Sequence, residues 1–262
     1  MKTTRRYGWI RDLPDKRNRK FLRAPVALPT SVDWTPSLPP CYDQGDLGSC
    51  TANAIAGAVQ FLQGLEHSDL VMPSRLFIYY NERVMEGTVD SDAGAEIMDG
   101  IKSVNRQGVC PEDEWPYEDS RLTSPPTPSC YTDAERELLL QYQSVDNTVL
   151  NDLKAALVQG PVVGGFSVYD SFESDAVAAT GIVPMPNLAA ESVQGGHAIL
   201  VVGYDDTKQV FIVRNSWSTI WGMNGYFTVP YAYFTDPDLA SDFWLCLRVS
   251  LNQPPPAGSV PA

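Results

Sequence analysis

Gln44-Gly45-Asp46-Leu47-Gly48-Ser49-Cys50 is a turn-forming stretch that ends on a cysteine. From Cys50 onward the residues become small and apolar. Ala54, Ala58, Phe61 and Leu62 fall at i, i+4, i+7 and i+8, which is one face of a helix. Cys50 therefore stands at a helix N-terminus, where the macrodipole and unpaired backbone N–H groups favour a thiolate and lower the thiol pKa. An isolated cysteine is more often a buried structural residue, so its meaning depends on partners elsewhere in the chain.

Working outward, Pro73-Ser74 opens a second helix carrying Leu76, Phe77, Tyr80 and Val84. A third runs from about Gly94, with Ile97, Ile101 and Val104 inward and Gly108 at its end. Residues 111–133 hold five prolines and read as irregular chain anchored by Trp115 and Tyr117. A short helix at about 149–158 stops at Gly160-Pro161. After Pro161 the pattern turns strand-like, at about 162–168, 197–204, 210–213, 225–229 and 245–249. Helices precede strands, so the class is α+β, in two lobes. The predicted layout is an arm at 1–40 and a main domain at 41–252, followed by a loose tail at 253–262. Within the main domain a helical lobe covers about 45–135 and an antiparallel, β-rich lobe about 136–250. A cleft between the lobes is the natural place for a site.

Two histidines could serve Cys50 as a base. His67, in Glu66-His67-Ser68-Asp69, reads as a solvated loop residue. His197, in Gly195-Gly196-His197-Ala198, stands at the mouth of an apolar strand and could form a thiolate–imidazolium pair near neutral pH. Asn215 could accept the second ring N–H of His197 through its side-chain carbonyl, and Trp217 could shield that bond from water. Gln44, six positions before the cysteine, could donate to an oxyanion beside the Cys50 N–H.

Together, Gln44 to Cys50, Gly196-His197-Ala198 and Asn215-Ser216-Trp217 resemble the papain family of cysteine peptidases, and Thr51 and the Tyr7-Gly8-Trp9-Ile10 arm resemble its bacterial branch. The separation of 147 residues between Cys50 and His197 fits that family. Trp221 to Tyr226, Asp113 to Tyr117 and Gly160-Pro161-Val162 extend the similarity over about residues 29–250. The resemblance implies a two-lobe fold and an endopeptidase needing no cofactor, with Cys50 as nucleophile, His197 as base, Asn215 as orienting residue, Gln44 as oxyanion donor and Trp217 as shield. It also implies that the backbone of Asp92-Ala93-Gly94 pairs with extended substrate, with Ala93 crowding it slightly, and that Gly196 borders the site. The main specificity pocket would involve Ile97, Val163, Gly165 and Ala198, all uncharged, so an apolar guest is expected. Leu47 stands where many relatives have a disulfide cysteine, and Thr51 where most have tryptophan. Other acyl-transfer or amide-hydrolase chemistry on the same fold, or a non-catalytic peptide-binding module, are the competing readings.

The composition agrees. At 44% hydrophobic and 19% charged the 262 residues form a globular chain, and no apolar run is long enough to span a membrane. The net charge of −13 argues against nucleic acid as main partner; peptides or proteins are expected as substrates, and the chain as a monomer. Residues 1–25 carry nine basic side chains against two acidic ones, leaving the rest strongly acidic. With Tyr7, Trp9, Ile10, Leu13 and Phe21 as anchors, this arm is expected to lie across the cleft as a salt-sensitive inhibitor. No ordinary secretory leader is visible, which suggests an intracellular protein or export by another route. Cysteines at 41, 50, 110, 130 and 246 lack zinc-knuckle spacing, so no metal is expected. Cys110 and Cys130 bracket the proline-rich segment, and in an oxidising compartment a bridge there would constrain it.

Overall fold

In the computed structural model, residues 6–66 and 70–250 are described. His67 and the tail at 253–262 fall outside them. Helix α1 (Cys50–Glu66) is the centre of the molecule. Every residue from Cys50 to Gln63 is buried, not just the one face that the apolar spacing suggests. The reason is its position: α2 (Arg75–Glu86) and α3 (Ile97–Gln107) cover one side, and the sheet of the second lobe covers the other. Small residues in α1 allow this close approach on all sides.

Ser74 caps α2, its Oγ accepting from the Phe77 N–H at 3.1 Å. Pro73 and Ser74 therefore start the helix where the sequence places it. Within the proline-rich 111–133 stretch a helix, α4 (Pro128–Ala134), forms with a proline at its first turn, a position where the missing N–H costs nothing. This element was not expected from the sequence.

The second lobe is a seven-stranded antiparallel sheet. It contains β4 (Leu139–Val145), β5 (Val162–Tyr169), β6 (Val193–Asp205), β7 (Val210–Arg214), β8 (Tyr226–Pro230) and β9 (Ala240–Val249). Their spatial order is β4-β9-β5-β6-β7-β8, and β2 (Ser31–Asp33) adds alongside β6. The expected strands are present, but β6 and β9 extend well before their apolar cores. Helix α5 (Leu150–Gln159) covers the sheet, and short helices α6 (Asp175–Thr180) and α7 (Tyr231–Thr235) fill its corners. One core packs α1, α2 and α3 against Val163, Ala198, Leu200 and Trp244 of the sheet. A second, rich in aromatics, lies within the β lobe. The site lies where the two cores meet.

The arm does not run free to residue 40. Its residues 31–33 already belong to the sheet, and Arg19 to Phe21 exchange backbone hydrogen bonds with Ser144 at the edge of β4. Trp9 and Phe21 are buried, as expected of anchors, whereas Leu13 is 75% exposed and Ile10 is 43% exposed. Among the described residues no helix is long and apolar enough to cross a membrane.

Candidate active site

Cys50 is the first residue of α1 and is fully buried. The turn before it is pinned from three sides. The Gly48 N–H donates to the Asp92 carboxylate at 3.0 Å, the Tyr117 hydroxyl donates to the Gln44 carbonyl at 2.8 Å, and the same hydroxyl lies 2.5 Å from Ser49 Oγ. Ser216 reaches across from the β lobe: its Oγ donates to Gln44 Oε1 at 2.6 Å. This orients the Gln44 amide so that Nε2 faces the cleft, donating to the Leu47 carbonyl at 2.8 Å and to the Arg6 carbonyl at 3.3 Å. Sequence reasoning missed these roles of Ser216 and of the Asp92 carboxylate, because neither hydrogen bond leaves a spacing signal.

His197 stands on β6, fully buried, with Nε2 2.8 Å from Asn215 Oδ1. Trp217 lies over this pair, its ring centroid 5.1 Å from that of the imidazole. Phe166 and Phe172 pack around the same ring at 5.9 and 6.5 Å. The neighbouring Ala198 N–H points at Cys50 Sγ, 3.4 Å away. Cys50, His197, Asn215, Gln44 and Trp217 are thus brought together across the lobe boundary.

The thiol itself departs from expectation. Burial pushes Cys50 up to about 11, against the lowering expected at a helix end. Backbone N–H groups of Ala198, Gly8 and Thr51 pull the other way but do not offset the loss of water, and the nearby Glu82 adds to the rise. The arm fills part of the space around the thiol. Gly8 lies against both Gly48 and Gly94: a Cβ on Gly8 would come within 1.6 Å of the Gly48 carbonyl oxygen, and one on Gly94 within 2.3 Å of the Gly8 oxygen. Gly94, at φ 79°, also adopts a left-handed backbone that a side chain disfavours. Tyr7 reaches over the catalytic side, 5.9 Å from His197 and 6.1 Å from Trp217.

Strand β1 (Trp9–Ile10) pairs in parallel with β3 (Ala95–Glu96), and the Ala95 N–H donates to the Gly8 carbonyl at 2.7 Å. Pairing falls just after Asp92-Ala93-Gly94. Ala93 is exposed and crowds nothing, and Asp92 contributes its side chain, binding Gly48, the Tyr79 hydroxyl and, at 2.9 Å, Arg6. Trp9 lies on Gly165, where a Cβ would meet the indole at 2.1 Å; its carbonyl approaches Gly196. Ile97, Val163 and Ala198 belong to the same buried cluster as Trp9. Asp242 of β9 reaches the indole that lies on this group, accepting from Trp9 Nε1 at 3.1 Å and from the Asp12 N–H at 2.9 Å. Asp242 sits in a left-handed backbone, φ 61°, in the part of β9 that precedes the strand expected at 245–249.

The arm is held less by charge than its composition suggests. Among the described residues, its ion pairs to the body are Arg6–Asp92 and Arg23–Asp152, at 2.9 and 3.2 Å. Arg17 pairs within the arm, with Asp15. Asp12, an acidic residue, makes deeper contacts, accepting from the Met98 N–H at 3.0 Å and from Trp244 Nε1 at 2.9 Å.

All five cysteines are thiols. Cys110 and Cys130 are buried neighbours, and with Glu114 they place three donor atoms within 4.8 Å of one another. This is the one group among the described residues with such convergence.

This fold and site define a thiol peptidase of the papain class. The family model for papain family cysteine proteases matches residues 28–236, and the chain belongs to that family. It is 42% identical to xylellain, a cysteine protease from Xylella fastidiosa, whose crystal structure superposes with a TM-score of 0.86 over 94% of this chain and 96% of that one. It is 40% identical to the peptidase C1-like protein L477 of Acanthamoeba polyphaga mimivirus, over 94% of this chain and 88% of that protein. Mouse pro-cathepsin H is 28% identical over 80% of this chain, which spans 62% of that longer protein. The protein is a cysteine endopeptidase acting on peptides or proteins.

Proposed function

We propose that Cys50 is the nucleophile of this endopeptidase, that His197 is its base, and that residues 6–12 occupy the site as a built-in inhibitor. The observation that carries the assignment is the buried His197–Asn215 hydrogen bond of 2.8 Å beside a cysteine at a helix N-terminus. Asn215 engages Nε2, so proton exchange with the thiol falls to Nδ1. With the arm displaced, the Cys50 thiolate attacks the substrate carbonyl. The oxyanion forms between the Cys50 N–H and Gln44 Nε2, which the closed arm engages through the Arg6 carbonyl. His197 then protonates the leaving amine, and as base it activates the water that hydrolyses the thioester.

Trp9 serves as a guide to the guest of the main pocket. Gly165 leaves space for a flat side chain, Ile97, Val163 and Ala198 favour apolar contact, and Asp242 adds an acceptor at the indole N–H. Side chains that pair a long apolar body with an N–H donor, such as Trp, Arg or Lys, fit this lining better than Leu or Val. Cleavage of a peptide library by the full chain and by Cys50→Ala tests both parts. Cleavage persisting in Cys50→Ala would overturn the nucleophile, and a library cut best after short aliphatic guests would overturn the role of Asp242.

A further inference from the structure

Beneath the nucleophile lies a carboxyl group that the hydrolytic steps above do not use. Glu82, on α2, is fully buried. One oxygen, Oε2, accepts from Thr51 Oγ1 at 2.8 Å, and the other has no hydrogen-bond partner among the described residues. The space is closed by α3: a Cβ on Gly100 would fall 2.1 Å from Glu82 Oε1 and 2.4 Å from Ile55 Cδ1. Among the described residues no cation forms an ion pair with the carboxyl, and the charge of Arg83 offsets its burial only in part. The adjacent Arg83 spends its guanidinium on the carbonyls of Tyr79, Val89, Ser91 and Leu122. The other charged groups that face it are acidic, Glu86 on α2 and Asp99 on α3, and from α1 the facing titratable group is Cys50 itself. A buried carboxylate without a cation is costly, and a neutral acid is far less so.

Thr51 links this group to the chemistry. It follows the nucleophile directly, and its backbone N–H is one of the three that bear on Cys50 Sγ. We infer that Glu82 is a positioning residue for the nucleophile: as a neutral carboxylic acid it fixes Thr51 through the hydroxyl, and so holds the Thr51 N–H on the Cys50 sulfur. A neutral acid does this without placing a negative charge beside the thiolate, which an ionised Glu82 would do. The device gives the hydroxyl of Thr51 a use beside the nucleophile. This inference rests on the assignment of Cys50 as nucleophile.

The test compares the pH profiles of kcat/KM for one peptide substrate, using full-length proteins that all carry the same arm. Thr51→Val and Glu82→Leu should lose about tenfold in kcat with KM within twofold, and their acid limb should move up by about one pH unit as the thiolate becomes harder to form. The conservative Thr51→Ser and Glu82→Gln should restore the wild-type limb, because both keep a hydrogen bond and neither adds charge. If Glu82→Leu fails to fold, the Thr51→Val and Thr51→Ser pair decides alone. A folded Thr51→Val with the wild-type limb and kcat would overturn the inference. So would a Glu82→Gln that shifts as far as Glu82→Leu, since the active form would then be the ionised one. Neither outcome touches the nucleophile assignment, which stands or falls with Cys50→Ala.

Discussion

The two halves of the site are built differently. His197, Asn215 and Trp217 are held by their own lobe: a short buried hydrogen bond, with Phe166, Phe172 and Trp221 packed around it. Cys50 and Gln44, on the other side, take part of their surroundings from the arm, through Gly8 against the Gly48 turn and the Arg6 carbonyl on Gln44. The arm touches the first half through Tyr7, beside His197 and Trp217, but takes no part in the His197–Asn215 hydrogen bond. On the proposed reading, displacement of the arm acts mainly through the surroundings of Cys50 and Gln44.

The sharpest break of this contrast is chemical. Cys50→Ala and His197→Ala should each lower kcat/KM by at least about 10³-fold, measured on a fluorogenic peptide, because each removes a group that reacts directly. Next in size is removal of the arm. A protein starting at Leu28, which keeps β2, should hydrolyse small peptides at least about 100-fold faster than the full chain at low substrate. Its Cys50 should also alkylate with an apparent pKa well below the value of about 11 in the closed form, as water, the helix end and His197 take over. An unchanged thiol titration after truncation would mean that the arm is not what buries Cys50. Trp9→Ala should recover part of the same gain, about 10–100-fold, because the indole supplies most of the buried apolar contact of residues 6–12.

A smaller effect should follow pH. In the closed arm, burial first and then the charge of Asp242 raise Asp12, with Glu96 adding to the rise; burial raises Asp242 also, against the pull of Arg11. Closure therefore favours the protonated pair. Its contribution is fully present below the ordinary carboxylate range and is lost as pH climbs through the raised values. The ratio of full-length to truncated activity should rise between about pH 5 and pH 8, and Asp12→Asn should flatten that rise. The smallest effect is expected from salt. With two arm–body ion pairs among the described residues, both partly exposed, raising ionic strength to about 1 M should change the ratio by less than about threefold. A larger change would restore the view that opposite charge holds the arm.

The legible part of this molecule was the part written in local pattern. The cap at Ser74, the switch to strand periodicity after Pro161 and the quoted motifs around Cys50, His197 and Asn215 are sequence-local, and each placed its element or side chain correctly. The first residues of β6 and β9 were missed because Gln194-Gly195-Gly196 and Ala240-Ser241-Asp242 have low strand propensity and are paired by tertiary contact, which also hid the strand character of Val193, Phe243 and Trp244. Asp242 left no signal either: its backbone turns left-handed inside a strand, and its carboxylate meets the Trp9 indole only in the folded chain. The charge of the arm was legible, but not which of its residues touch the body. Most of it faces water, whereas an indole, a glycine and an aspartate make the contacts that matter.

The pairing of β2 with β6 has a consequence for time as well as for place. It fixes the chain at Ser31, and the hydrogen bonds of Arg19 and Phe21 to Ser144 hold it again, so residues 6–12, the proposed inhibitor, are tethered to the enzyme by a short span. A segment tethered in this way meets its site at an effective concentration in the millimolar range, whatever the amount of protein in solution. Opening and closing are then first-order events. Dilution does not awaken the enzyme, and crowding many copies together does not silence it. A substrate weaker than that internal concentration waits for the arm, so progress curves started from the closed form should begin with a lag whose length is a property of the molecule alone.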